Sequence, residues 1–335
     1  MNKIGLVVIG RNEGEKLRSC LQSALGKVQQ IVYVDSGSTD GSLEMARSLS
    51  VEVVELDLLI PFTAARARNA GFNHLLKINP DLEYVQFVDG DCEIVAGWLE
   101  RGYQELEKHP QVVVVCGRRR ERFPQQSIYN RLCDLEWDTP IGEAKACGGD
   151  SIMRVPAVQK VGGFNPNLIA GEEPELCVRL RQQGGKIVRI EAEMTLHDAQ
   201  MTTFSQWWKR TLRAGHAYAE GAWLHGSSPE RHWVRESRSI WLWGLIIPVF
   251  ILMMAWLTSG LSLALFSVYP LLAYKIYRSQ IKQEISSKDA WLYAGFCVLG
   301  KFAQVQGQIQ FHISRLLGKR SSLIEYKTIT ALNQN

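Results

Sequence analysis

The sequence lacks the features that would place it in several common protein classes. Its seven cysteines are scattered and contain no Cys-x-x-Cys pair, so neither a zinc site nor a dithiol redox site is indicated. No internal repeat or low-complexity tract is visible. The apolar run between Lys3 and Arg11 is too short for a secretory signal. We therefore expect reduced thiols and an N-terminal region that stays in the cytoplasm.

An excess of charge of either sign is also missing. The 335 residues include 38 Lys and Arg against 34 Asp and Glu, a net charge of +4. Such a balance is too small to indicate nucleic-acid binding, and we predict no nucleic-acid partner. With 46% hydrophobic residues, the chain can bury a full core and is long enough for about two domains.

Short apolar segments alternate with helical patterns in the first part of the chain. The segments IGLVVIG, IVYVDSG, VEVVEL and YVQFVD are separated by helical stretches of roughly 10 to 15 residues. This pattern predicts an α/β domain with a mostly parallel sheet, over residues 1–225. Ligands of such sheets bind beyond the carboxyl ends of the strands, where Arg11–Glu13, Asp35–Asp40 and Asp89–Asp91 fall.

Charged residues are absent from 239–274. Thr258, Ser259 and Gly260 provide a turn near the middle, and each arm of about 18 residues would measure about 27 Å, close to the roughly 30 Å hydrocarbon thickness. We predict a membrane-spanning helical hairpin, with spans at about 240–258 and 260–277, in a membrane-associated region 226–335. The alternative is a buried helical pair, or an interface between copies in a homo-oligomer.

Basic residues flank both ends of this tract. They are Arg231, Arg235 and Arg238 before it and Lys275, Arg278 and Lys282 after it. Both flanks should therefore lie on the cytoplasmic side of the inner, cytoplasmic membrane, with the N-terminal domain facing the cytoplasm. Residues 289–317 begin apolar and become amphipathic, which leaves open whether they lie along the interface or form a third span.

Two carboxylates, Asp89 and Asp91, follow an apolar segment with one glycine between them. Carboxylates two positions apart can turn their oxygens toward one point, and Mg²⁺ or Mn²⁺ prefers such ligands. An ordinary turn at the end of a strand would use the same residue types. A calcium loop is excluded, because Ile94 stands where that loop requires glycine.

Several motifs follow one another along the chain. They are GRNE, VDSGSTDGS, AARARNAGF, FVDGD, GGDSIMR, VGGFNPNL and GEEPEL. In this order they resemble a family 2 glycosyltransferase of the nucleotide-diphospho-sugar transferase (GT-A-like) fold, over roughly residues 3–215. The resemblance implies inverting transfer of a sugar from a nucleotide-sugar donor, with Mg²⁺ or Mn²⁺. The apolar hairpin favours an acceptor in the membrane, such as a lipid or lipid-linked glycan.

The resemblance also implies roles for individual residues. Nucleotide binding is expected of Arg11, Glu13, Asp35, Ser38, Asp40 and Arg68. A donor or acceptor pocket is expected at Asp150, Gly163, Phe164 and Arg210, and metal binding at Asp89, Asp91 and His197.

Some of these residues have simpler interpretations. Asp40 also suits a helix cap, and a single histidine at a strand end, such as His197, is often structural. Arg66 and Arg68 would lie on opposite faces of a helix, and Arg68 is preferred because it matches the Arg-Asn of the family. Arg210 lies in a basic, tryptophan-rich stretch that equally suits a membrane surface.

The family's general base is the aspartate of a Glu-Asp pair, which corresponds here to Glu173, so the chain departs from the pattern. Either Glu173 or Glu172 is the base, and acids before Pro174 would also suit a simple helix start. A sugar-phosphate nucleotidyltransferase is disfavoured because the first strand is not followed by the expected glycine-rich loop. A dinucleotide oxidoreductase is disfavoured because G-x-G-x-x-G is missing. A non-catalytic membrane-anchored scaffold with the same fold stays open.

Overall fold

The structure is a computed structural model that describes residues 3–319. Within these residues, one compact unit comprises 3–125 and 136–200, and a second comprises 126–135 and 201–319. The first unit contains the sheet and the second is helical. The expected domain limit at residue 225 lies inside the helical unit, because the helix Phe204–His225 belongs to that unit.

A sheet of nine strands forms the centre of the first unit. The strands are β1 (Ile4–Gly10), β2 (Gln30–Asp35), β3 (Glu52–Glu55), β4 (Tyr84–Asp89), β5 (Cys92–Ile94), β6 (Val112–Glu121), β7 (Gly142–Ala144), β8 (Ser151–Arg154) and β9 (Lys186–His197). Their order is β3-β2-β1-β4-β8-β6-β9-β5, and β7 pairs with β9. Strands β1 to β4 are parallel, whereas β8 is antiparallel to its neighbours. The predicted α/β fold is confirmed, and its sheet is mixed, because β5, β7 and β8 pair only antiparallel.

Strand register brings three polar strand ends to one edge of the sheet. Gly10 pairs with Asp35, and Ile9 pairs with Asp89, so the carboxyl ends of β1, β2 and β4 are level. Each of these strands is almost continuously buried, as parallel strands covered on both faces are. The sheet therefore gathers the motifs that follow β1, β2 and β4 at its carboxyl edge.

Helices cover the sheet, and some of them begin next to the motifs at its carboxyl edge. They are α1 (Glu15–Ala24), α2 (Ser42–Ser48), α3 (Ala64–Ile78), α4 (Trp98–Lys108), α6 (Val155–Lys160) and α7 (Glu172–Gln182). Thr63 caps α3 by accepting a hydrogen bond from the Arg66 backbone N–H. Gly71 lets α3 approach the sheet closely, because a Cβ there would lie 2.5 Å from Val7 Cγ1 and 2.7 Å from Val34 Cγ2.

The helical unit contains α5 (Ile128–Glu136), α8 (Phe204–His225), α9 (Val234–Trp241), a π-helical turn (Leu242–Ile246), α10 (Ile247–Leu257), a 3₁₀ helix (Leu261–Ser267), α11 (Val268–Ile281) and α12 (Ser287–Leu316). Helices α8 and α12 touch through their backbones at Gly215 and Gly307. Arg131 of α5 donates two hydrogen bonds to Asp289 of α12, at 3.0 and 2.7 Å. The short segment 126–135 is thus tied to this unit.

The apolar tract forms two arms joined at the expected turn, but its second arm differs from the prediction. Ser259 and Gly260 have φ of 48° and 88°, which ends α10. Among the described residues, one helix, Val234–Leu257, is long and apolar enough to cross a membrane. The second predicted span, 260–277, begins as a 3₁₀ helix, and regular α-helix starts only at Val268. Residues 287–316 form one continuous helix that does not meet the same criteria.

The close approach of α3 to the sheet at Gly71 predicts that a larger residue there lowers the stability of the fold. Gly71→Ala should destabilise the chain by about 1 to 3 kcal/mol, because the new methyl group overpacks the interface between α3 and the sheet. Gly295→Ala is the matched control, since a Cβ at Gly295 in α12 has nothing within 4 Å and alanine favours a helix. We expect a lower thermal unfolding midpoint for Gly71→Ala and an equal or higher one for Gly295→Ala. An unchanged midpoint for Gly71→Ala would contradict this packing.

Candidate active site

Arg68 is a buried guanidinium that binds three carboxylates. Its Nη2 donates to Asp89 Oδ1 at 2.8 Å, and its Nη1 lies 3.0 Å from Glu172 Oε1 and 2.8 Å from Glu173 Oε1. The side chain is only 3% exposed and lies over the ring of Phe164. Burial lowers the pKa of Arg68, but the three carboxylates outweigh it and the pKa is raised. Arg68 therefore joins the end of β4 to the start of α7.

A second guanidinium, that of Arg119 on β6, holds the next pair of acids. Its Nε donates to Asp150 Oδ2 at 2.9 Å, and its Nη2 lies 2.8 Å from Asp150 Oδ1 and 3.5 Å from Asp89 Oδ2. Asp150 is fully buried and also accepts a hydrogen bond from Thr195 at 2.5 Å. The backbone N–H of Asp89 donates to Asp150 as well. Asp150 is thus fixed in place and supports Asp89.

Asp91 faces His197 at the end of β9. His197 Nε2 lies 3.2 Å from Asp91 Oδ2, and both side chains are almost fully buried. Nδ1 of His197 makes no hydrogen bond among the described residues and lies 3.9 Å from Glu121 Oε2. Burial lowers the pKa of His197, but Asp91 and Glu121 outweigh it and the pKa is raised. The strands place an imidazole and a carboxylate side by side.

The cluster carries more negative than positive charge. Its members are the carboxyls of Asp89, Asp91, Asp150, Glu172 and Glu173 and the guanidiniums of Arg68 and Arg119. If all the carboxyls were ionised, five negative charges would face two positive ones. Glu121 and a protonated His197 would offset each other. Buried like charges are costly, so this site favours a bound cation or protonation of one acid.

Glu173 is the acid whose protonation the surroundings promote. Burial raises the pKa of Glu173 to about 7, with Glu172 and Asp89 acting in the same direction and Arg68 opposing them. Glu172 and Glu173 are the first residues of α7, which begins after Gly171 with φ 79°. The helix start and the acidic site are therefore the same feature. A carboxyl group with a pKa near neutrality is suited to accept a proton.

Gly149 allows the backbone to pass between these groups. A Cβ at this position would lie 2.6 Å from Arg68 Nη2, 3.0 Å from Asp89 Oδ2 and 3.1 Å from Glu173 Oε1. Only a glycine leaves the space that the three side chains use. The GGD motif thus contributes a close backbone approach at Gly149 as well as the buried carboxylate of Asp150.

Asp35 and the loop after it form a network of internal hydrogen bonds. Asp35 accepts hydrogen bonds from the Tyr33 hydroxyl at 2.8 Å and from the N–H groups of Gly37 and Ser38, each at 2.9 Å. The Ser38 hydroxyl accepts from the Asn12 N–H, which links the loops after β1 and β2. Asp35 is only 4% exposed. In this structure its carboxylate shapes the turn.

The remaining expected residues lie in different places. Asp40 accepts a hydrogen bond from the Ser42 N–H, but the N-cap residue of α2 is Gly41, so Asp40 shapes the turn that precedes the helix. Arg11 and Glu13 follow β1, and Arg210 lies on α8 in the helical unit. Gly163, with φ 73°, precedes Phe164, whose backbone exchanges two hydrogen bonds with the amide of Asn69.

Several residues in or beside the cluster were not predicted from the sequence. They are Arg119, Glu121, Thr195, Gly149 and Asn69. Three consecutive arginines on β6 indicate a basic segment, but the sequence alone does not tell which of their side chains points to the site. Asn69 directly follows Arg68 and could have been included with it.

Comparisons with known proteins agree with the fold and the motifs. Residues 6–146 match the family model "Glycosyl transferase family 2", which includes Asp89 and Asp91 and ends before Asp150. Glycosyltransferase AglE of Haloferax volcanii is 24% identical over 225 residues, 63% of this chain and 71% of that protein. Succinoglycan biosynthesis protein ExoA of Rhizobium meliloti is 29% identical over 184 residues, 52% of this chain and 54% of that protein.

A solved structure has a similar fold over most of the chain. The mannosyltransferase PcManGT from Pyrobaculum calidifontis, in complex with GDP-Man and Mn²⁺, superposes with a TM-score of 0.59 at 18% identity. The match covers 90% of this chain and 86% of that one. The family match and the relatives show a glycosyl transferase family 2 domain over residues 6–146, and this chain is a glycosyltransferase.

Proposed function

We propose that the chain transfers a sugar from a nucleotide-diphospho-sugar to a glycan or lipid-linked acceptor at a membrane, with inversion at the transferred carbon. The observation that carries this proposal is the Arg68 cluster, which joins a carboxyl group with a pKa near 7 to the acids that end β4. The α/β unit supplies the catalytic residues and the helical unit supplies the membrane attachment. ExoA is named for polysaccharide biosynthesis, which accords with a glycan acceptor.

The donor set around Asp91 fits a hard divalent cation. Asp91 offers a carboxylate and His197 an imidazole nitrogen, and a ligating Nε2 would leave Nδ1–H facing Glu121, as in many metal sites. Cys92 also lies within 4.8 Å of these atoms, but Mg²⁺ and Mn²⁺ prefer oxygen ligands to sulfur. Oxygen and nitrogen ligands suit Mg²⁺ or Mn²⁺, and the PcManGT structure contains Mn²⁺.

Asp89 takes a supporting part in this arrangement. Arg68 and Arg119 engage its two oxygens, at 2.8 and 3.5 Å. Because its contact with Arg119 is the longer one, Oδ2 is the oxygen through which Asp89 would bind the metal or the donor. A divalent cation bound there would neutralise the charge that develops on the departing diphosphate.

The protein's own groups then account for the proton and for donor orientation. Glu173 would accept the proton of the acceptor hydroxyl, and Arg68 would hold Glu173 and Asp89 in a fixed relation. The loops after β1 and β2, organised by Asp35, Ser38 and Asn12, lie at the same sheet edge and would receive the nucleotide. A non-catalytic scaffold would need none of these buried, paired charges, which cost stability.

Asp91→Asn tests the metal assignment. Loss of the carboxylate charge should weaken Mn²⁺ binding by at least about 10²-fold. Substituting even a residue that only hydrogen-bonds to a metal ligand typically lowers metal affinity by about 10- to 100-fold. Electron paramagnetic resonance of free Mn²⁺ measures this without an activity assay. Asp81→Asn, at an exposed loop position, is the matched control and should bind as the unsubstituted chain does. Equal Mn²⁺ affinity in both variants would remove Asp91 from the metal site.

Glu173→Gln and Glu172→Gln separate the two candidate bases. We expect Glu173→Gln to lower kcat by about 10² to 10⁴-fold, the usual contribution of a general base, with donor affinity retained. Glu172→Gln should cost less, because Glu172 contacts Arg68 beside the base. Transfer of radiolabelled sugar from a panel of nucleotide sugars provides the measurement. A variant pair in which only Glu172→Gln is inactive would reverse the assignment.

The raised pKa of Glu173 predicts the pH dependence. A base must be ionised, and Glu173 becomes protonated as the pH falls below about 7. The value of kcat/KM should therefore fall about tenfold per pH unit below that point and level off above it. The residual activity of Glu173→Gln should lack this acidic limb. An acidic limb that persists unchanged in Glu173→Gln would show that another group titrates.

A further inference from the structure

We propose that residues 247–267, the apolar hairpin, enter one leaflet of a lipid bilayer and end near its midplane. The chain would then be held on one side of the membrane and would not cross it. The exposed side chains of the hairpin would contact the hydrocarbon of a single leaflet. The inference rests on the proposed membrane attachment, and it replaces the spanning hairpin that the sequence pattern predicts.

The arms of the hairpin are half as long as a bilayer is thick. Ile247–Leu257 has 11 α-helical residues, which at 1.5 Å per residue measure about 16 Å. Leu261–Ser267 has seven 3₁₀ residues, which at about 2 Å per residue measure about 14 Å. The hydrocarbon core is about 30 Å thick, so each arm reaches about its middle.

The base of the hairpin is fixed by contacts to α12. The Tyr269 hydroxyl donates to the Trp243 carbonyl at 2.6 Å, which ties the two arms together. The Tyr269 ring also lies 5.8 Å from that of Phe302 on α12. Gly244 packs on the backbone carbonyl of Lys301. At Gly244 the helix Val234–Leu257 therefore packs on α12, while Leu242 and Ile246 beside it are 42% and 55% exposed.

Polar groups accompany the part of Val234–Leu257 before Gly244. Ser237 of α9 donates to the fully buried Gln308 at 3.1 Å, and Lys301 lies level with Gly244. Amide and ammonium groups are costly in hydrocarbon. The helix Val234–Leu257 is long enough to span, but Ser237 and Gly244 in its N-terminal half contact Gln308 and Lys301 of α12. We therefore assign to lipid the residues beyond the π-helical turn.

The hairpin itself exposes apolar side chains. Only Ile251 and Ser262 are buried in its two helices. The exposed ones include Val249, Phe250, Leu252, Met253, Trp256, Leu257, Leu261, Leu263 and Leu265. Trp256, at 90% exposure, and Met253, at 71%, are near the tip. Such a surface on two joined helices requires an apolar surrounding.

Several polar groups at the tip are satisfied internally. The Thr258 hydroxyl donates to the Met254 carbonyl at 2.9 Å and accepts from the Ser262 N–H at 3.0 Å. The Ser262 hydroxyl donates to the Ile251 carbonyl across the two arms at 2.9 Å. The Gly260 N–H donates to Ala255. A turn in hydrocarbon must satisfy its backbone in this way, whereas a turn among headgroups has water for this purpose.

Aromatic and basic side chains cluster beyond the base. Tyr277 of α11 stacks on Trp291 of α12 at 4.4 Å, with Tyr274 at 6.4 Å from the same ring. The guanidinium of Arg278 lies over Tyr274. Tyrosine and tryptophan concentrate at headgroup level, and cations favour anionic lipid. This aromatic cluster lies further along α11 than the hairpin base, since Tyr274 and Tyr277 follow Val268 by about two turns. The tip carries no charged residue to match it.

The depth of the tip is measurable in the full-length chain. Ser259→Cys places a thiol at the exposed tip, and Ser279→Cys, on α11 beside Arg278, is the matched control. Six native cysteines are buried, and replacing Cys297 by serine removes the remaining one that is partly exposed. Each variant, in that background, is labelled with an environment-sensitive fluorophore and reconstituted into phosphatidylcholine–phosphatidylglycerol vesicles. Lipids that carry a spin label at either the glycerol end or the methyl end of the acyl chain are then used to quench the fluorophore. Iodide, a quencher dissolved in water, is present on both sides of the vesicle membrane.

We expect the label at 259 to show blue-shifted emission, stronger quenching by the methyl-end spin label, and no quenching by iodide. The label at 279 should be quenched by iodide or by the glycerol-end spin label. Glycerol-end quenching together with iodide quenching at 259 would place the tip at a headgroup surface and overturn the half-depth insertion. Absence of lipid quenching at 259 would overturn insertion itself. Sugar transfer is assayed separately, so failure of the proposed function leaves this result intact.

Discussion

The arrangement of the catalytic unit depends on one buried cation. Arg68 is held by Asp89 at the end of β4 and by Glu172 and Glu173 at the start of α7. A buried guanidinium is stable only when it is paired, and buried carboxylates need the same compensation. The strand end, the helix start and α3 are consequently fixed together. The loops proposed to bind the substrate are therefore attached to a rigid framework.

The same cation explains why the acids of the site differ in character. Asp89 lies between two guanidiniums, which lower its pKa although burial and Asp91 raise it. Glu173 shares one guanidinium with two other acids, and burial leaves its pKa near 7. Carboxyl groups in one cluster thereby differ in pKa, which is lowered for Asp89 and raised to about 7 for Glu173. This separation is a general way to obtain acid–base chemistry near neutral pH.

Much of the fold was predictable from local patterns. Buried parallel strands are read from continuous apolar segments, and the acids after β4 and the turn at 258–260 lie where the residue types predict them. The site was predictable in part. Arg68, Asp89, Asp91, Asp150, Glu172, Glu173 and His197 do come together, but Arg68 contacts carboxylates, and its expected role at a diphosphate remains a proposal. Arg119 was missed because β-strand arginines on neighbouring positions look alike in sequence.

The sequence by itself determined the alternation of strands and helices, the acidic strand end and the uncharged tract 239–274, because these follow from short-range periodicity and composition. Only the tertiary structure decided which charges pair, since Arg68 and Glu172 are 104 positions apart. It also decided where the apolar tract contacts α12, at Gly244 and Tyr269. Charge pairing and helix contacts both depend on long-range packing, which no local pattern encodes.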